Sequence, residues 1–524
     1  MKTCLKTSFL TFLIITIATA YELPEVIGVL EEEGIFATDF CWVGDQNDDG
    51  FDDLLVRYSA GNQALLYYGD EQMENEPGFI FEPYLEQQDI CHGMSFTGHL
   101  LPNRNEYVAI YGVERCEPPR IITNLYECGD NIDNEPDFSL SRVYRDNSIF
   151  FREGFRTRPT DVNGDGNHDF IAFKEVHPAG HMLIFHGGED FDTIPDWIKY
   201  MHNPINLTPT ILFSSGYDIN SDGFDDILVK TRQPRENSNQ LDYWYSLYLG
   251  GSPMDTVPVF SFREDHFEGR IEQRRMIHGF SLLPDVNDDG YDDWGIYWSE
   301  DEDDGFFIFF GGEEPDMEPD LELEGHRRLW RGNGGLTGGD FNGDGIGDIV
   351  TRLHAGNPMM NEIHIHLGSR WMDGETDIYI DLDNAYRGQY AISTLYIGAV
   401  GDYNGDDVDD FVVSGAGSAI VFAGNRDWER GIDSNQSPDT YKLSLQTIPN
   451  PFNSQINISY NMTKTDLVRL SVYDIQGRLI DILEDRMVIR GKHRIVWNHR
   501  TAGLYFICLQ AGDSKIVKKV VCIP

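Results

Sequence analysis

Asp45-Gln46-Asn47-Asp48-Asp49-Gly50-Phe51-Asp52-Asp53 is the stretch on which the fold turns, because it returns five more times, from Asp161, Asp218, Asp285, Asp340 and Asp402. Each copy reads DxNxDGxxD, except that Asp407 stands in the glycine's place in the last. Each runs straight into apolar residues of β type, such as Leu54-Leu55-Val56, Ile171-Ala172-Phe173, Ile227-Leu228-Val229 and Phe411-Val412-Val413. An acidic turn followed at once by such a run feeds a strand, not a helix.

The side chains at positions 1, 3, 5 and 9 of these loops are hard oxygen donors, and a carbonyl at position 7 can join them. Calcium takes six to eight such oxygens from a flexible chain. The spacing therefore predicts about six structural calcium ions. The expected ligands are Asp45, Asn47, Asp49, the Phe51 carbonyl and Asp53, then Asp161, Asn163, Asp165, Asn167 and Asp169. They continue as Asp218, Asn220, Asp222, Phe224 and Asp226, and as Asp285, Asn287, Asp289, Tyr291 and Asp293. The last two sets are Asp340, Asn342, Asp344, Ile346 and Asp348, and Asp402, Asn404, Asp406, Val408 and Asp410. Gly50 and its counterparts supply a bend at positive φ, which Asp407 tolerates better than most residues, so a weaker sixth site is expected. An EF-hand would need Glu at position 12, where Val56, Val229 and Thr351 stand.

From 161 onward the loop starts lie 57, 67, 55 and 62 residues apart, and the interval from 45 to 161 is 116, about two periods. A seventh member without the ligand carboxylates falls at Gly98 to Val108. A second marker, an apolar strand ending in glycine, follows each loop. It reads Tyr67-Tyr68-Gly69, Ile110-Tyr111-Gly112, Phe185-His186-Gly187, Tyr248-Leu249-Gly250, Phe309-Phe310-Gly311, His366-Leu367-Gly368 and Phe422-Ala423-Gly424. Repeats of this length with several short strands bury their faces on one another. The expected fold is all-β: a seven-bladed β-propeller over residues 21–430, a linker at 431–440, and an Ig-like β-sandwich over 441–524. Only 13 residues separate His99 from Gly112, which predicts a short or irregular second blade.

The pairing of acidic loop and glycine turn resembles the FG-GAP repeats of integrin α-chain propellers and their bacterial relatives. That resemblance implies calcium in hairpin loops on one rim, where it fixes loop geometry, and ligands on the opposite face or at the axis.

Lys2 and Lys6, the apolar run Phe9 to Ile17, and Ala18-Thr19-Ala20 read as a secretory signal over residues 1–20. No stretch is long enough to span a membrane. Six cysteines remain after its removal, and an exported chain favours disulfides. Sequence proximity pairs Cys116 with Cys128 and Cys508 with Cys522, leaving Cys41 with Cys91. The formal charge is −48; residues 441–524 hold 12 Lys and Arg against 6 Asp and Glu, while residues 21–440 carry −56. Such a surface disfavours nucleic acid and anionic membranes as partners.

Pro449-Asn450-Pro451-Phe452-Asn453, Val472-Tyr473-Asp474-Ile475-Gln476-Gly477-Arg478, Ala502-Gly503-Leu504-Tyr505-Phe506 and Lys515-Ile516-Val517-Lys518-Lys519 punctuate six β-type runs near the C-terminus. Together they resemble the type A sorting domain of the type IX secretion system. The resemblance implies export through the periplasm and outer membrane, with release or attachment at the surface, and contact with that machinery.

Two functions fit these features. One is a secreted or surface-displayed recognition or adhesion module for a glycan or protein ligand. Tyr243-Trp244-Tyr245 and Trp197 with Tyr200 are candidate sugar-stacking groups, though such residues more often fill cores. The other is an extracellular polysaccharide lyase or hydrolase. Its candidate groups are His177, His181, His186, Glu300, Asp301 and Glu302, in a chain with no GxSxG elbow, phosphate loop or dinucleotide fingerprint. No residue is assigned a catalytic role.

Overall fold

In the computed structural model the chain is described at residues 24–31, 37–58, 63–83, 88–102, 105–114, 120–129, 132–143, 158–176, 179–202, 212–234, 241–263, 276–300, 303–323, 335–355, 360–370, 372–382, 397–414, 418–428, 444–448, 452–462, 466–488, 491–499, 501–511 and 514–523. The signal, the linker, His177, Asp301, Glu302 and Cys116 lie outside these residues. The fold is all-β and built from small antiparallel sheets.

The first sheet sets the plan: Ala37–Trp42, Leu54–Tyr58, Ala64–Tyr67 and Phe79–Phe81 pair in chain order. The acidic loop joins its first two strands. The same order holds within residues 88–143, 212–263, 276–323 and 335–381. The third sheet has three strands, Phe170–Val176, Ala179–Phe185 and Trp197–His202, with only a bridge from Thr160 to Asp169 on the inner side. The seventh is closed from the far end of the chain. Val26–Glu31 pairs antiparallel with Ser418–Phe422, outside Asp410–Ser414 and Ile397–Gly401.

The apolar runs after the loops are unbroken because both faces of each sheet are covered. Leu54 and Val56 pack toward the seventh sheet with Ile27, Val412 and Val421, whereas Leu55 packs toward the second with Met94 and Val108. One core of this kind fills every interval between consecutive sheets: second to third around Leu125 and Phe170, third to fourth around Ile184 and Val229, and fourth to fifth around Leu247 and Trp294. It continues from fifth to sixth around Ile308 and Ile349, and from sixth to seventh around Ile365 and Phe411. The inner strand Ile397–Gly401 touches both Gly335–Gly339 and Ala37–Trp42, so the last sheet meets the first.

The second sheet is not short and keeps the four-strand order, but its first pair is irregular, with register shifts between Asp89 and Gly93 and between Phe96 and Gly98. Gly112 lies inside the strand Tyr107–Glu114, opposite Ile122, and a third strand, Arg120–Glu127, follows. The turn expected at Gly112 is made at Cys128-Gly129. There the Glu127 amide donates to Asp137 Oδ2, as His186 does to Asp196 and Phe310 to Asp320. A β-type run ending in glycine resembled the marker without occupying its place.

Residues 444–522 form two further sheets about one core. Ser444–Ile448, Ser454–Met462 and Gly491–His499 make one; Leu479–Val488, Asp466–Asp474, Gly503–Ala511 and Ser514–Cys522 make the other. Ile456, Ile458 and Trp497 of the first pack on Leu470, Ile507 and Val520 of the second. Phe452 of the Pro-Asn-Pro-Phe-Asn stretch is buried at the seam, where its amide donates to Val521 O and its carbonyl accepts from the Ile523 amide. The Cys508–Cys522 pairing fails on register. Cys508 stands opposite Val517 and Cys522 opposite Gly503, five residues apart along the hairpin or roughly 17 Å. Both are free buried thiols, as is Cys128.

Candidate metal loops and the rim they build

The six acidic loops fold alike. The position-1 carboxylate accepts from two backbone amides, that of position 6 at 2.7–2.8 Å and that of position 5 at 3.0–3.2 Å. The position-5 carboxylate accepts from the amide of position 7 at 2.8–3.1 Å. These are successive Asx turns, and they draw the side chains of positions 1, 3 and 5 together. In five loops the Asn amide at position 3 donates to the Asp at position 5.

Two residues of each loop are left-handed. Position 6 has φ near 90° at Gly50, Gly166, Gly223, Gly290 and Gly345, and Asp407 takes φ 58° in the sixth loop as its position requires. Position 4 is left-handed as well, at Asp48, Gly164, Ser221, Asp288, Gly343 and Gly405. Sequence reading missed that second bend, although Gly, Asp or Ser at position 4 carries its signature. Arg426 donates to the carbonyls of Asp406 and Asp407, supporting the bend of the glycine-less sixth loop.

Position 9 does more than face a cage. In all six loops its Oδ2 accepts the amide of position 2 at 2.8–3.0 Å, and its Oδ1 accepts the amide of the marker glycine at 2.6–2.9 Å. One buried carboxylate thus joins the two sequence markers. The glycine is needed because a Cβ on Gly311 would stand 2.1 Å from Asp292 O and 2.5 Å from Ile219 O. The residue after it bonds the preceding loop: Gly312 N to Ile219 O, Gly251 N to Val162 O, Gly188 N to Leu100 O and Asp70 N to Tyr403 O.

Position 8, unassigned in the sequence reading, ties each loop to the one before. Asp225 Oδ2 accepts Asp161 N at 2.7 Å, Asp292 Oδ2 accepts Asp218 N at 2.9 Å, Asp409 Oδ2 accepts Asp340 N at 2.8 Å, and Asp52 Oδ2 accepts Asp402 N at 2.8 Å. Gly347 N bonds Asp285 O, His168 N bonds His99 O, and Gln46 Nε2 donates to Glu106. These ties run through all seven repeats and return to the first. The doubled Asp-Asp at positions 8 and 9 of four loops was the available signal.

Burial raises the acids of this rim. Asp53, Asp226 and Asp410 are pushed up to about 8, chiefly by desolvation and further by the other carboxylates of their loops. Asp293 and Asp348 are raised well above the usual range for the same reasons. Asp225 and Asp292 rise to about 6, again mainly by desolvation. Among the described residues no three His, Cys, Asp or Glu side chains gather as a metal-ligating group. Two features nonetheless suit a hard cation. Asn220 Oδ1, at position 3, is a buried acceptor with no hydrogen-bond partner, and amide bonds leave spare lone pairs on the loop carboxylates.

The other candidate groups do not converge. His186 Nδ1 lies 3.2 Å from Asp169 Oδ1 on the rim, and His181 packs edge-on against Tyr200 five residues earlier on the same hairpin. Tyr245 is wholly buried beside Phe262, the Tyr243 ring sits 4.5 Å from Lys230 Nζ, and Trp197 belongs to the core. Tyr200 is exposed.

The family described as a secretion system C-terminal sorting domain matches residues 446–523. The chain therefore carries a type IX sorting domain and is exported through that system, to be released or held at the cell surface. Export implies interaction with the type IX machinery. Among the described residues no helix is long and apolar enough to cross a membrane. No curated protein matches this chain. Among solved structures, a chain of an active polycomb repressive complex 2 in the basal state shares 7% identity at a TM-score of 0.45, covering 77% of this chain and 98% of that one. A chain of the Chaetomium thermophilum complex bound to GSK126 shares 8% at 0.44, covering 77% and 99%. The Dos1 propeller shares 8% at 0.37, covering 83% and 92%.

Proposed function

We propose that residues 21–430 are a seven-bladed, calcium-binding propeller of FG-GAP type, joined by residues 431–440 to an Ig-like sorting domain at 441–524. We read the exported protein as an extracellular recognition or adhesion module for a glycan or protein ligand. The observation that carries this reading is the use of the acids: every position-1, position-5 and position-9 carboxylate holds loop backbone, and every position-8 carboxylate ties two loops. Their duty is to shape a rim, and one orphaned amide oxygen, Asn220 Oδ1, points to calcium as the missing partner. When bound, calcium would supply charge balance to the Asp and Asn oxygens at positions 1, 3, 5 and 9 and to the carbonyl at position 7. Ligand recognition then falls to the remaining surface, since a fold does not name its ligand.

Two measurements test this. Calorimetric titration of calcium-stripped protein should show about six ions bound; no heat and no change in melting temperature would remove calcium from the reading. The full-length protein should then be passed over immobilised polysaccharides and matrix proteins with calcium and with chelator. Calcium-dependent retention without product is expected. Turnover of a polymer would make the protein a polysaccharide lyase or hydrolase instead.

A further inference from the structure

Arg158 enters the third sheet two residues before Thr160, and its guanidinium leaves that sheet. Its Cζ lies 5.9 Å from the ring centroid of Trp42 in the first sheet and 5.5 Å from that of Tyr217, which leads into the fourth sheet's loop. Its Nη2 stands 4.0 Å from Asp409 Oδ2, in the seventh sheet's loop. Around a closed ring, the first and seventh sheets are two and three places from the third. A single side chain reaches both only by crossing the axis.

The groups it meets there are the ties between loops. Tyr217 acts most on its charge and the carboxylates of Asp409, Asp292 and Asp52 after it, together holding the guanidinium charged against desolvation, and each of these carboxylates already holds the first amide of a neighbouring loop through one oxygen. Amide dipoles offset only part of a carboxylate's charge, and like charges gathered at one rim repel. Arginine suits the place, since a planar guanidinium can lie against aromatic rings while facing acids. Gly216 makes room, because a Cβ there would fall 2.7 Å from Arg158 Cβ.

We propose that Arg158 is an axial clamp: one guanidinium that balances the position-8 aspartates of several sheets and holds the loop rim closed without metal. The inference rests on the closed ring and not on calcium, so a failed calcium titration leaves it standing. The side chain is 38% exposed, so solvent screens the charge and the expected effect is moderate.

The test is a double-mutant cycle on the full-length protein, read as melting temperature in calcium and in excess chelator. Arg158→Met should lower it by about 2 °C, equally in both conditions. Asp409→Asn alone should lower it less. In the Arg158→Met background the same Asp409→Asn should raise it, because an unbalanced charge is removed. Packing by the arginine stem alone would give additive losses, and additive losses or an unchanged melting temperature in chelator would overturn the clamp. Should Arg158→Met not fold, the cycle runs on Arg158→Lys, which keeps the charge. There Asp409→Asn should still lower the melting temperature, and a rise would overturn the proposal.

Discussion

The first and second sheets are neighbours with the same strand order, yet their loops are held by different means. In the first, Asp53 bonds the amides of Gln46 and Gly69, and Asp45 and Asp49 close two Asx turns. In the second, Tyr107 stands where Asp53 would, with its hydroxyl donating to Glu127, and Cys128 stands where the glycine would. The ties between loops survive the exchange: Glu106 accepts from Gln46, and His99 O from His168. Tying neighbouring loops together and folding the acidic turn are therefore separable tasks, and a repeat can lose the second while keeping the first.

The largest effect that could break this comparison is at position 9. Asp293→Ala strips Val286 N and Gly311 N of their acceptor and should cost about 4 kcal/mol in chelator by chemical denaturation, and more in calcium, where a position-9 ligand oxygen is lost as well. A loss confined to calcium would mean that Asp293 is only a ligand. Gly311→Ala should cost about 3 kcal/mol because its Cβ meets two carbonyls, whereas Cys128→Ala, at the corresponding place in the second sheet, should cost about 1 kcal/mol. Equal costs would mean that the two turns are built alike after all.

Asp344→Ala sharpens the contrast from the cage side. It removes a position-5 oxygen and should lower the melting temperature in calcium by several degrees, with little change in chelator. Smaller still is the effect of pH on calcium-stripped protein. Asp53, Asp226 and Asp410 have folded-state values near 8 against 3.8 when exposed, so the folded chain holds more protons between those limits. Their contribution is full below pH 3.8 and is lost as pH rises through about 8. The stripped protein should accordingly melt higher at pH 6 than at pH 8.5, and added calcium should flatten that slope. The same slope with and without calcium would sever these acids from the cation. The smallest expected change is in the tail: Cys508→Ser and Cys522→Ser should leave the rate of electrophoretic migration unaltered by reductant, since neither thiol reaches the other.

Much of this was legible along the chain. The acidic loops marked where strands begin, and the unbroken runs such as Leu54-Leu55-Val56 gave the strands that follow them, because strands covered on both faces need no polar alternation. The motifs of the tail announced export, which the family match at residues 446–523 bears out. Gly112 misled because local composition cannot tell a strand's interior from its end; pairing with Ile122 decided that. The thiols of Cys508 and Cys522 misled because nearness in sequence is not nearness across a hairpin, where register separates them.

What the sequence alone determined is therefore local and periodic: turns made at positive φ by Gly, Asp or Ser, donor atoms at fixed spacing, and apolar runs of strand length, all properties of a few consecutive residues. What only the tertiary structure decided is what links distant segments. Asp52 finds Asp402 across 350 positions, Val26–Glu31 completes the last sheet, and Arg158 meets Asp409 across the axis. No window of sequence contains both partners of such a contact. Their pairing exists only once the ring has closed and burial has made each unmet charge or amide costly.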